Sequence, residues 1–129
     1  MMRVGLAMLQ GARHEHEEAI LSIAEQLNHS VEVVHLRRAE DIDDSILGLI
    51  LPGGESTTMR IASRSEGLLE SIYVWMENHP KRPVLGTCAG AILLANPSQN
   101  RSPFIRAKIS RNAWGRQRQS FETPVEVRI

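Results

Sequence analysis

The chain alternates short apolar runs with longer amphipathic stretches. Residues 3–9 form the first run, stopped by Gln10-Gly11; Val31-Glu-Val-Val-His-Leu36 is the second, Ile46-Leu-Gly-Leu-Ile-Leu51 the third, and Val84-Leu85 a short fourth. Compact β-branched runs of this length read as strands, and a run that is apolar at almost every position reads as a strand buried on both faces. Between the first two runs, Ala19, Ile20, Ile23, Ala24 and Leu27 recur at three- and four-residue spacing, with Glu and Gln opposite. That spacing predicts a helix over residues 15–27, ended by Asn28-His29-Ser30. Leu68, Leu69, Ile72, Trp75 and Met76 predict another, running to about Asn78 and closed by Pro80 and Pro83. Strands and helices alternating in this way build a parallel, doubly wound sheet. Past Ala95 the pattern loosens. Residues 96–103 are a loop by composition, residues 104–109 alternate as a strand could, residues 110–122 are polar and basic, and Val125, Val127 and Ile129 alternate as a last strand.

Composition narrows the picture without changing it. No linker or low-complexity tract divides the 129 residues, and an apolar share of 42% is enough for one core. Fifteen basic residues balance fifteen acidic ones, which leaves no electrostatic footprint for nucleic acid or an anionic membrane. The first apolar run is too short for a signal-peptide core or a membrane span, and His14, Glu15, His16, Glu17 and Glu18 follow it closely. A single cysteine forbids an internal disulfide and fits a reducing compartment, so a cytoplasmic location is expected.

The chemistry concentrates where the fourth run meets the helix after it, in Pro83-Val-Leu-Gly-Thr-Cys-Ala-Gly-Ala-Ile-Leu-Leu-Ala95. The pattern Gly86-x-Cys88-x-Gly90 is the cysteine counterpart of a nucleophile elbow, in which the attacking residue sits on a strained strand-to-helix corner between small neighbours. Cys88 would then project from the carboxyl end of a buried strand, where open α/β sheets place their ligands. A lone cysteine in an apolar segment is otherwise an inert core residue, and the two flanking glycines favour the nucleophile. Pro52-Gly53-Gly54-Glu55-Ser56-Thr57-Thr58 leaves the third run at the equivalent edge, so two loops face one crevice. There the N–H of Ala89 and one from Gly53-Gly54, represented by Gly54, suit an oxyanion hole. Taken alone, a Pro-Gly-Gly sequence is an ordinary turn, Glu-Ser-Thr-Thr a helix cap, and Arg111, Arg116 and Arg118 a solvated loop. His14 and His16 stand two apart on the predicted helix and point in different directions, which makes them surface residues rather than a metal pair.

With Leu51-Pro-Gly-Gly-Glu-Ser-Thr-Thr-Met59 and Gly86-Thr-Cys-Ala-Gly-Ala-Ile-Leu-Leu94 both in view, the sequence resembles the glutaminase subunits of pyridoxal 5′-phosphate synthase, a family of triad glutamine amidotransferases. Leu9-Gln-Gly-Ala-x-x-Glu15-His16 and Ser110-Arg-Asn-Ala-Trp-Gly-Arg-Gln117, continuing to Ser120-Phe-Glu122, agree with the same family. The resemblance implies an α/β, flavodoxin-like three-layer sandwich with a mostly parallel sheet and a cysteine nucleophile elbow. It implies hydrolysis of L-glutamine to L-glutamate and ammonia through a thioester on Cys88. The ammonia would pass to a docked synthase barrel in a hetero-oligomer. Gly53, Gly54, Glu55 and Arg111 match residues that hold the glutamine, and Gln10 matches a position that supports the oxyanion loop or faces the partner. Neither a cofactor nor a metal is implied for this subunit, and no nucleic-acid or membrane partner.

One part of the pattern is missing. The family's general base is a histidine in a His-x-Glu motif after the Arg-Asn block, whereas all five histidines of this chain precede Cys88. Ile105-Arg106 also precedes the block that an Ile-Arg glutamine contact follows in the family, so that role is not transferred. The expectation is therefore a single amidotransferase domain over residues 1–129 that lacks its C-terminal part. The alternatives are a catalytically incomplete docking or regulatory subunit, and a cysteine hydrolase that shares the elbow.

Overall fold

The computed structural model describes residues 1–9, 13–54, 56–98 and 100–106. Four parallel strands, β1 (Met2–Ala7), β2 (Val31–Leu36), β3 (Ile46–Leu51) and β4 (Val84–Gly86), form one sheet in the order β2-β1-β3-β4. Helix α1 (Arg13–Gln26) joins β1 to β2, and a 3₁₀ turn at Ala39–Asp41 precedes β3. Helices α2 (Ser56–Ser63) and α3 (Leu68–Asn78) lie between β3 and β4, and α4 (Ala89–Ala95) follows β4. This is the parallel α/β sheet that the alternating runs predict, in the flavodoxin-like arrangement that the family resemblance implies. The chain steps outward from β1 to β2, then returns to the other side of β1 and steps outward again from β3 to β4. The strand order therefore reverses between β1 and β3, and the crevice beyond their carboxyl ends is where such sheets hold ligands.

Strand β3 shows why the sheet forms. Leu49 and Leu51 enter a cluster with Leu68, Ile72 and Trp75 of α3 and Leu94 of α4. Ile50 on the alternate position is buried as well, as is Leu6 opposite it on β1. Both faces of the strand are thus dry, and each such side chain contributes about 1.5–3 kcal/mol by leaving water. A second cluster of Met59, Leu69, Tyr73, Ala89 and Leu93 ties α2, α3 and α4 together. At the entrance to β3 the backbone N–H groups of Arg37 and Arg38 donate to the Asp41 carboxylate, at 2.9 Å each, and hold its pKa below the ordinary value.

The predicted helix over residues 68–78 and the second, third and fourth strands appear where the pattern placed them. Three differences are informative. Helix α2 is an element of its own, whereas the sequence suggested only a cap at Glu-Ser-Thr-Thr. In α1 the predicted stripe is buried only at Ala24, while Ile23 and Leu27 remain 56% and 63% exposed. Residues 104–106 are not a strand. Phe104 spends its N–H on the Leu94 carbonyl at 2.9 Å and stacks its ring on Tyr73 at 5.4 Å, so it closes the end of α4 instead of extending a sheet. The last predicted strand lies outside the described residues.

Candidate active site

The corner between β4 and α4 is built by the glycines around Cys88. Cys88 has φ 53° and ψ −119°, one of two non-glycine residues with positive φ among those described. A backbone of this kind costs on the order of 1–3 kcal/mol and persists only where its surroundings fix it. Here the Gly90 N–H donates to the Thr87 carbonyl at 2.9 Å across the turn. The N–H groups of Ala91 and Ile92 both reach the Cys88 carbonyl, at 3.0 and 3.3 Å. Thr87 is itself anchored by its N–H on the Leu51 carbonyl, 3.0 Å away at the end of β3. The result is a cysteine whose main chain already belongs to the helix and whose thiol is exposed.

Close approach explains the glycines. A Cβ on Gly90 would collide with the Leu51 carbonyl oxygen and come within 2.7 Å of its carbon, so α4 can lie against β3 only with a glycine there. A Cβ on Gly86 would meet Leu94 Cδ1 at 2.8 Å and Ala91 N at 2.9 Å. The third contact belongs to the facing loop, where a Cβ on Gly53 would stand 3.0 Å from Cys88 Cβ and 3.7 Å from its Sγ. The structure thus brings Gly53 directly against the cysteine, and Gly54 beside it has φ 151°. Ala89 opens α4, and the first N–H groups of a helix have no partner within it. Glu55, Gln10 and Arg111 lie outside the described residues.

His14 is a surface residue, pairing with Glu18 at 3.0 Å on the exposed side of α1. His16 corrects the expectation that both histidines face solvent. It is half-buried, and its Nε2 lies 3.2 Å from the Thr87 hydroxyl, next to the cysteine. Spacing along α1 separated the two histidines correctly but did not reveal what either would meet. The available signal was position: His16 follows β1 at the same carboxyl edge that carries Gly53 and Cys88. Among the described residues no group of three His, Cys, Asp or Glu side chains is placed to hold a metal. No described helix is long and apolar enough to cross a membrane. A concavity of about 460 Å³ lined in part by Asp43, Asp44, Glu70 and Trp75 opens at the amino-terminal end of β3, the edge opposite the cysteine.

Comparison with known proteins places the chain in a family. The family model of the SNO glutamine amidotransferase family matches residues 6–128. The pyridoxal 5′-phosphate synthase subunit PdxT of Thermococcus gammatolerans is 41% identical over 133 residues, covering 98% of this chain and 66% of that protein. The protein of the same name from Pyrobaculum arsenaticum is 40% identical over 135 residues, covering 98% of this chain and 65% of that one. The chain thus spans just under two thirds of the length of these relatives. A solved structure described as a glutamine amidotransferase superposes with a TM-score of 0.67 at 36% identity, covering 93% of this chain and 62% of that chain.

Proposed function

Because the chain belongs to the SNO glutamine amidotransferase family, we propose that it hydrolyses L-glutamine to L-glutamate and ammonia and supplies the ammonia to a pyridoxal 5′-phosphate synthase partner for vitamin B6 synthesis. The observation that carries this reading is the Cys88 corner, with its positive φ, exposed thiol and the Gly53 backbone pressed against it. Cys88 Sγ attacks the side-chain amide carbon of glutamine, the tetrahedral intermediate collapses, ammonia leaves with a proton, and water cleaves the glutamyl thioester. The N–H groups of Ala89 and Gly54 are the donors for the oxyanion, and removing one such donor typically costs about a hundredfold or more in rate. Gly53, Gly54, Glu55 and Arg111 hold the substrate, an arginine being suited to the α-carboxylate and a carboxylate to the α-ammonium. Gln10 supports the oxyanion loop or faces the synthase. Residues 1–129 belong to one amidotransferase domain and carry its nucleophile, in the cytoplasm, in keeping with a lone cysteine.

A second reading is a subunit that docks on the synthase without turning glutamine over. A chloroketone analogue of glutamine separates the two from a general cysteine hydrolase. On the first reading it labels Cys88, visible as one adduct by intact mass, L-glutamine protects against it, and Cys88→Ala is not labelled. Labelling that glutamine does not slow would sink the glutaminase reading. Ammonia release from glutamine, raised by the synthase, then distinguishes catalysis from docking in a protein that carries the family's His-x-Glu.

A further inference from the structure

Three hydrogen bonds hold Thr87, the residue before the nucleophile, and they come from three different elements. Its N–H donates to Leu51 at the end of β3, its carbonyl accepts from Gly90 in α4, and its hydroxyl meets His16 Nε2 of α1 at 3.2 Å. The third is the unusual one. β1 and β4 are not neighbours, since β3 lies between them, so a side chain from the helix that follows β1 crosses the carboxyl end of β3 to reach the elbow. Among the described side chains of α1, Ala24 is the buried one, and the Glu17 carboxylate meets His35 Nε2 of β2 at 2.9 Å.

We infer that His16 is a positioning residue for Cys88, acting through Thr87 to hold the strained corner in its attacking geometry. The inference rests on the reading of Cys88 as a nucleophile and goes beyond it, because His16 acts on Thr87 and not on substrate. A strained φ is kept only when surrounding bonds over-determine it, and the bond from His16 is the one that closes the corner from the α1 side. The imidazole and the hydroxyl exchange donor and acceptor roles with the tautomer, so any side chain of similar reach carrying both kinds of group preserves the link.

Cys88 is the only cysteine in the chain, so its alkylation by iodoacetamide, with Sγ–C bond formation and loss of iodide, reads the corner directly without requiring turnover. The rate is measured by intact mass on the 129-residue chain and its variants. His16→Phe, which keeps a ring and loses the hydrogen bond, slows alkylation by about three- to tenfold, the span expected from one net hydrogen bond. His16→Gln restores the rate to within about twofold of the parent, since its amide both donates and accepts. Thr87→Val reproduces the loss, and the double variant His16→Phe with Thr87→Val is no slower than either single one. Equal rates for the parent and His16→Phe, a failure of His16→Gln to restore the rate, or additive losses in the double variant would each overturn the inference. If His16→Phe does not fold, Thr87→Val against Thr87→Ser gives the same reading. Loss of glutamine protection with these rate effects intact would remove the glutaminase reading and leave the positioning role standing.

Discussion

Cys88 holds a backbone conformation that an L-residue rarely adopts, and the residues that make this tolerable are small for reasons of contact distance. Gly90 is the sharpest case. Alanine is the better helix former by about 1 kcal/mol, so at an open helical site Gly90→Ala would stabilise the protein. At this site the added Cβ runs into the backbone of Leu51, within 2.7 Å of the carbonyl carbon and 3.0 Å of Cβ. Neither strand nor helix backbone can rotate away as a side chain would, and overpacking of this kind costs about 3 kcal/mol. The clash outweighs the propensity, and urea unfolding should show Gly90→Ala destabilised by about 2 kcal/mol or more. A variant as stable as the parent would mean that α4 does not lie on β3 in this way. The two glycines around Cys88 were legible because their spacing is local. The His16 contact was not, because its partner lies 71 residues further along the chain and no periodicity within α1 encodes it.

At the scale of elements, hydrophobic periodicity was a good guide wherever an element's partners lie on both of its sides, and a poor one where the partner is a single side chain. β3 is apolar almost throughout and is buried almost throughout. The alternation at residues 104–109 suggested a strand, yet Phe104 is recruited by α3 and α4 as a lid on Tyr73. Alternation records which residues prefer an apolar environment and does not say whether a sheet or a ring supplies it. Tyr73 itself anchors this packing by donating its hydroxyl to the Leu93 carbonyl at 3.0 Å, with Arg101 over its ring at 5.2 Å. Burial pushes its phenol up to about 12, while nearby Arg60 and Arg101 pull in the opposite direction. The folded state therefore favours the neutral phenol. The stability from this group is fully present below the unfolded-chain value of about 10 and is lost as the pH rises from there toward about 12. Tyr73→Phe should lose about 1 kcal/mol at neutral pH with the hydrogen bond, and urea midpoints taken from pH 9 to 11.5 should fall less steeply for it than for the parent. Parallel slopes for the two proteins would show that the phenol is not held neutral in the fold.

For the whole molecule, alternating runs foretold a parallel sheet but not its order, because strand order depends on which crossover packs where and leaves no mark on any single run. The order found, with its reversal between β1 and β3, collects the β3 loop, the β4 elbow and the first turn of α1 at one edge. On the proposed function that assembly supplies the nucleophile and backbone donors, with the inferred positioning contact beside them. A thiol that attacks an amide also needs a base to take its proton and return one to the leaving ammonia. The family's base is a histidine after the Arg-Asn block, and none occurs after Cys88 in these residues. Of the histidines that precede it, His16 is engaged with Thr87, while His14, His35 and His79 pair with Glu18, Glu17 and Asp44. A cysteine whose base and orienting acid are absent loses most of the rate that a triad supplies, since its members act as one unit. The polypeptide of these 129 residues should therefore release no ammonia from L-glutamine above the background of its Cys88→Ala variant, with or without a synthase barrel, while its thiol still takes up iodoacetamide. Glutamine hydrolysis by a preparation whose intact mass ends it at Ile129, abolished by Cys88→Ala, would refute this. It would require a base among the residues already in the crevice, and His16, one hydrogen bond from Thr87, would then be the first to substitute.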